Sequence, residues 1–135
     1  MPYRVDFEAL LTYEIGEPGI GVPAVLKSSG KTVVVSAKID TGAACCLFER
    51  RHGEELGFEI ESGLRQLFGT ATGAFVGYGH EVTLCVGDFE FDTFVFFPGN
   101  DAIARNVLGR FGWLDRMMLG LVDYEGKLYL SRYGE

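Results

Sequence analysis

Apolar residues along the chain fall mainly into short runs that end at Gly, Pro, Asp or Ser, a spacing that predicts strands more than helices. Residues 5–13 mix apolar and polar positions with partial alternation. Pro18-Gly19 and Ser28-Ser29-Gly30 punctuate a second strand at 21–27. Residues 32–39 are rich in β-branched side chains, with Val33, Val34 and Val35 in a row, which suits a strand buried on both faces. Gly87-Asp88 separates strand-like runs at 81–86 and 89–97, and Glu125-Gly126 separates 119–124 from 127–132; both read as hairpins.

Two stretches break the pattern. Residues 48–56 place Glu49, Arg50, Arg51, Glu54 and Glu55 on a polar face, with Leu47, Phe48 and Leu56 available for packing. Gly57 follows, where a helix C-terminus favours it. Residues 110–119 carry Phe111, Leu114 and Met118 at helical spacing, with Trp113 as a packing residue. In each half, then, an apolar strand feeds a glycine-containing loop and then a helix, a weak internal duplication. The pattern predicts an all-β, mainly antiparallel fold with one or two short helices, built as a single domain over 1–135. Residues 1–19 form either an extra edge strand or an interface arm.

Charge narrows the function classes. With 12 basic and 19 acidic residues the net charge is −7, and the densest basic cluster is Arg50-Arg51. Phosphate neutralisation dominates nucleic-acid affinity, so a nucleic-acid partner is not expected. No apolar run approaches the roughly 20 residues that span a bilayer, so no membrane association is expected. Three cysteines, two of them adjacent (Cys45, Cys46), make no disulfide framework. Together with the lack of a charged-then-apolar leader pattern at Met1-Pro2-Tyr3-Arg4, they lead us to expect a reducing, cytoplasmic setting. His52, His80 and the cysteines show no metal-ligand spacing, so neither a metal nor another cofactor is expected.

The chemistry concentrates at Asp40-Thr41-Gly42-Ala43, which follows the most apolar strand. A carboxylate there projects from the end of a rigid element, Thr41 offers a hydroxyl, and Gly42 permits close approach of another chain. Asp also begins many ordinary turns. Two further segments tip the balance: Gly69-Thr70-Ala71-Thr72-Gly73, small residues at a hairpin-like bend, and Asn106-Val107-Leu108-Gly109-Arg110 before the second helical stretch. With these three segments in this order, the sequence resembles the retropepsin-like aspartic proteases over about residues 33–129. Members of that family carry Asp-Thr-Gly-Ala after a hydrophobic strand, a glycine-rich flap, and two aliphatic residues before Gly, often followed by Arg.

The resemblance implies a small closed β-barrel per subunit, with two subunits forming the active site at their dyad. Asp40 becomes the catalytic carboxylate, Thr41, Gly42 and Ala43 the supporting loop, residues 69–73 the flap over an extended polypeptide, and Val107, Leu108 and Gly109 structural support. The chain holds a single Asp-Thr-Gly, and Asp92-Thr93-Phe94 lacks the glycine, so a two-carboxylate mechanism requires a homodimer. Two carboxylates about 3 Å apart share one proton, a rule for which aspartic proteases are the standard illustration. The family also implies apolar side chains beside the scissile bond. Two positions depart from its pattern. Ala44 stands where many relatives carry Ser or Thr to support the aspartate, and Arg110 has no acidic partner nearby in sequence. They motivate a second reading, a domain of this fold that dimerises or binds peptides without cleaving.

Overall fold

The computed structural model describes residues 1–133, and its elements run in the order β1 (Ala9–Thr12), β2 (Gly21–Ser28), β3 (Lys31–Ile39), α1 (Arg50–Glu55), β4 (Leu64–Thr70), β5 (Gly73–Val86), β6 (Phe89–Pro98), β7 (Val107–Leu108), β8 (Met117–Val122) and β9 (Lys127–Arg132). The all-β, largely antiparallel class expected from the pattern is what is found. Strand β5 is the spine. One of its edges pairs first with β4 and then, at Thr83 to Cys85, with β2; its other edge pairs with β6 from Gly77 to Val86. Strand β3 continues this sheet beyond β2, and β7 closes it as a parallel pair with Lys38 and Ile39. A second sheet has the order β1-β9-β8, so Ala9–Thr12 lies at its edge.

The two sheets do not close into a barrel, which corrects the expectation carried by the resemblance. Strands β1 and β8 end one sheet, β4 and the two-residue β7 end the other, and no ladder joins them among the described residues. The sheets are joined instead through side chains. Leu26, Val35, Leu84 and Phe97 from the large sheet share one apolar cluster with Met117, Leu128 and Leu130 from the small one.

Within β3 the burial alternates: Val33, Val35 and Ala37 face the core, while Val34, Ser36 and Lys38 face outward. The Val run therefore reports the β-branched preference for a pleated strand and not burial on both faces. The first helix is shorter than 48–56, because Phe48 is committed elsewhere: its amide donates to the Phe96 carbonyl oxygen at 3.0 Å and its ring is fully buried. Gly53 inside this helix has a packing reason. A Cβ there would lie 2.6 Å from Ile60 Cδ1 and 2.9 Å from the Phe97 ring.

The second helix does not form. Only the three residues Leu114–Arg116 make a 3-10 turn, and Met117–Val122 is a strand paired with β9 from Met117↔Arg132 to Val122↔Lys127. Gly112 sits at φ 111° with its Cβ position against the Phe94 carbonyl oxygen, a conformation that interrupts helix. The spacing of Phe111, Leu114 and Met118 is overridden by this strand pairing. Trp113 is fully buried, a core residue as expected but outside any α-helix. The proposed duplication thus holds for strand and loop only.

Because burial decides the cost of truncation, Leu26→Ala, at a fully buried position of β2, should lower stability by about 2–5 kcal/mol. Val34→Ala, on the outward face of the adjoining strand, should stay within about 0.5 kcal/mol. Urea unfolding of both variants checks the pair; equal effects would contradict the assigned faces.

Candidate active site

The loop after β3 is held from three directions. Asp40 N–H donates to the Leu108 carbonyl oxygen at 3.0 Å, Ala43 N–H returns to the Asp40 carbonyl oxygen at 3.2 Å, and Gly42 N–H donates to Asp40 Oδ1 at 2.9 Å. Thr41 is exposed at the outside of this turn. Beyond it, Arg110 and Phe111 N–H groups donate to the Ala43 and Ala44 carbonyl oxygens at 2.9 and 2.8 Å, while Leu47 and Val107 exchange both backbone bonds at 3.0 and 2.7 Å. Residues 107–111 therefore thread between the end of β3 and the chain that leaves the Asp40 loop. Gly109 is where they pass. A Cβ there would overlap the Cys45 carbonyl group and lie 2.9 Å from the Ala43 carbonyl oxygen, and backbone has no rotamer with which to yield.

Above this floor, β4 and β5 form a hairpin with register Leu64↔Gly79 to Thr70↔Gly73 and a two-residue turn at Ala71 and Thr72. Strand β4 was not legible in the sequence, since nearly all its side chains are exposed and no alternation marks it. Two residues short of the turn, the Phe68 ring stacks on Phe75 with centroids 5.3 Å apart and meets Phe96 edge-on at 5.3 Å. The tip is small and exposed, with Thr70 Oγ1 donating to the Gly73 carbonyl oxygen at 3.1 Å.

Hairpin and loop enclose an open cleft of about 430 Å³. Of the residues singled out in the sequence, Asp40, Gly42, Ala43, Gly69, Thr70 and Val107 line it; Ala71, Thr72 and Gly73 stand at the hairpin tip, and Thr41, Leu108 and Gly109 lie outside the lining. Ala44, Cys45, Leu47, Gln66, Leu67, Phe68 and Phe75 complete the walls, and Arg105 adds a charge absent from the expected set. Arg105 Nη2 lies 3.9 Å from Asp40 Oδ2, with both side chains roughly half exposed. Nothing in the sequence spacing flagged it, because the loop that carries it has no periodicity.

That loop is anchored by α1. Asn106 Nδ2 donates to Glu49 Oε2 at 2.7 Å and Glu49 N–H donates to Asn106 Oδ1 at 3.1 Å, while Arg50 bonds Glu61 at 2.6 Å and the Gly99 carbonyl oxygen at 3.3 Å. The Asn106 hydrogen bond is the main reason that the Glu49 carboxyl is held below the usual carboxylate range, with Arg51 adding to it. Cys46 is buried, which pushes its thiol up to about 12. Burial also raises Cys45, against a smaller opposing effect from Gln66, whose Nε2 lies 4.0 Å from its sulfur. Both cysteines are thus protonated packing groups at neutral pH. Arg110 makes no ion pair among the described residues; its guanidinium sits 5.5 Å from the Phe111 ring centroid. No three His, Cys, Asp or Glu side chains among the described residues group so as to hold a metal ion, and no helix among them is long and apolar enough to cross a membrane.

Two solved structures share this arrangement of strands. One is a retropepsin-like aspartic protease from Rickettsia conorii, with TM-score 0.66 at 17% identity over 91% of this chain and 97% of that one. The fold is retropepsin-like. The protease of EIAV, solved with the inhibitor HBY-793, superposes with TM-score 0.54 at 19% identity over 74% of this chain and 88% of its own. No protein-family model and no curated protein sequence matches the chain. The retropepsin-like fold is therefore carried by backbone arrangement with little sequence identity.

Two outcomes test this account of the loops. Gly109→Ala should destabilise the protein by about 2–4 kcal/mol or prevent folding, since the overlap is with backbone; an unchanged melting temperature would refute the crossing. Asn106→Ala should cost about 1–2 kcal/mol near neutral pH. Glu49 has a lowered folded-state pKa, so its contribution is full above the unfolded value and is lost as pH falls through the folded one. The penalty of Asn106→Ala should accordingly shrink at about pH 3, and urea titrations at both pH values read the difference.

Proposed function

We propose that the chain is one subunit of a homodimeric aspartic endopeptidase in which two Asp40 carboxylates, one from each subunit, activate a water. The observation that carries this reading is the position of Asp40 at the floor of the cleft beneath the β4–β5 hairpin, in a retropepsin-like fold. In the reaction the ionised member of the pair takes a proton from the water as its oxygen bonds to the peptide carbonyl carbon. The protonated member donates to the carbonyl oxygen. Collapse of the tetrahedral intermediate breaks the C–N bond, and the leaving nitrogen takes up a proton from the pair. The titration belongs to the dyad and not to either residue.

The parts of the cleft take roles accordingly. The 69–73 tip acts as a flap, adding backbone hydrogen bonds to an extended polypeptide and excluding water. Thr41, exposed at the outside of the loop, bonds across the dyad to its counterpart. Val107, Leu108 and Gly109 brace the loop from below.

One observation favours a second reading, a domain that binds polypeptide without hydrolysis. Ala44 supplies no hydroxyl, and among the described residues the Asp40 carboxylate accepts one hydrogen bond, from Gly42 N–H. Asp40→Asn separates the two. It should reduce hydrolysis of an unfolded protein substrate by at least about a hundredfold, with the circular dichroism spectrum and the dimeric sedimentation coefficient unchanged. Hydrolysis that persists in the variant would remove Asp40 from the mechanism, and a wild-type protein that binds such substrates without turnover would establish the second reading.

A further inference from the structure

Beside the cleft lies a second, smaller pocket of about 260 Å³, lined by Ser36, Lys38, Asp40, Arg105, Asn106 and Val107. From its geometry we infer that Lys38 and Arg105 form a cationic subsite that selects a carboxylate side chain next to the scissile bond. The inference rests on the endopeptidase reading and names part of its substrate.

Strand period places Lys38 and Asp40 on one face, two residues apart, with Val35 and Ala37 on the other. Arg105 approaches the same carboxylate from the loop before β7. The ladder brings the two backbones close, since Lys38 pairs with Val107 and its N–H donates to the Asn106 carbonyl oxygen at 2.9 Å, while the Lys38 stem passes over Gly19 at the rim of the pocket. Neither cation is satisfied internally. Lys38 makes no ion pair among the described residues, although Glu14 and Glu17 line a neighbouring depression with it. Arg105 meets only Asp40 there, at 3.9 Å and without a hydrogen bond.

In a working dyad two aspartates carry one negative charge between them, while each subunit brings one lysine and one arginine to its own pocket. Positive charge is therefore in excess where the substrate side chain enters. A neutral side chain would cover these cations and leave them without water or partner, which is unfavourable. A carboxylate accepts charge-assisted hydrogen bonds from both, and the arginine fork can hold its two oxygens at once. A basic side chain is repelled. The apolar preference implied by family resemblance should thus fail at this subsite.

The test uses the full chain and end-blocked peptides that differ only in Glu, Gln or Lys at each position flanking the cleaved bond. At one of these positions the wild-type kcat/KM should follow Glu, then Gln, then Lys, with Glu over Gln by about tenfold. The Glu/Gln ratio should approach one in Arg105→Leu, and the double variant Lys38→Glu/Arg105→Glu should favour Lys. Melting curves confirm that each variant is folded, and Arg105→Gln repeats the measurement should Arg105→Leu fail. Equal cleavage of Glu and Gln peptides, or a preference that survives loss of both cations, overturns the subsite. If the wild type cleaves no peptide better than Asp40→Asn, the endopeptidase reading falls by itself. Calorimetry with reduced-amide analogues then decides the subsite: tighter binding of the Glu analogue, lost in Arg105→Leu, supports it, and equal or absent binding of both overturns it.

Discussion

The threading of residues 107–111 between the end of β3 and the chain leaving the Asp40 loop is the constraint on which the site depends. Backbone bonds run from this segment and the adjoining Asn106 to both neighbours, to Lys38 and Asp40 on one side and to Ala43, Ala44 and Leu47 on the other. A buried amide left without a partner costs about 1–3 kcal/mol, more than an average hydrogen bond contributes when made. The bonds are therefore more important as a set than singly, since displacing the segment strands several groups at once. Gly109 lets the chains approach closely enough for this set to form. The position of Asp40 is thus a consequence of backbone pairing and owes little to its own side-chain contacts.

The same crossing explains which features were legible in the sequence. Asp-Thr-Gly and Val-Leu-Gly are short local patterns that a single sequence can display, and at Gly109 the structure supplies the physical reason, since a Cβ there would overlap backbone. Strand β3 was readable as a strand from its β-branched run, but three consecutive valines suggested burial on both faces and hid the alternation that the structure shows. Other features had no such local mark. Strand β4 is exposed along nearly its whole length and is defined by its partner β5. The helix expected at 110–119 has suitable spacing, yet Gly112 at φ 111° and the hairpin that Met117–Val122 makes with the strand just after it outweigh that spacing. Barrel closure depends on ladders between strands far apart in sequence, and no residue type reports their absence.

Electrostatics divides the molecule differently from burial. The chain carries net −7, yet the pocket beside Asp40 holds two cations to one carboxylate. Long-range attraction cannot create a preference for acidic peptides on such a chain, because screening limits interactions between exposed charges to about 8–10 Å at moderate ionic strength. Any such preference must arise at contact range, where a peptide side chain has lost water. Under the proposed function, selectivity of this kind would act on a polypeptide already held by its backbone beneath the hairpin.

The weakness of the Arg105–Asp40 contact bears on this point. Both side chains are about half exposed and the atoms are 3.9 Å apart with no hydrogen bond, so the pair is worth no more than about 1 kcal/mol. In the proposed dimer, a strong, bidentate pair would hold the guanidinium on the aspartate and oppose both the dyad and the substrate. A weak one lets Arg105 turn to an incoming carboxylate at small cost, while Asn106, tied to Glu49 by two hydrogen bonds, keeps the backbone beneath it fixed. A half-exposed, weakly held charge on a hydrogen-bonded base is what separates a recognition residue from a structural ion pair. Ala44 bears on the Asp40 carboxylate in the same way, because without a hydroxyl there the carboxylate accepts one internal hydrogen bond among the described residues, from Gly42 N–H.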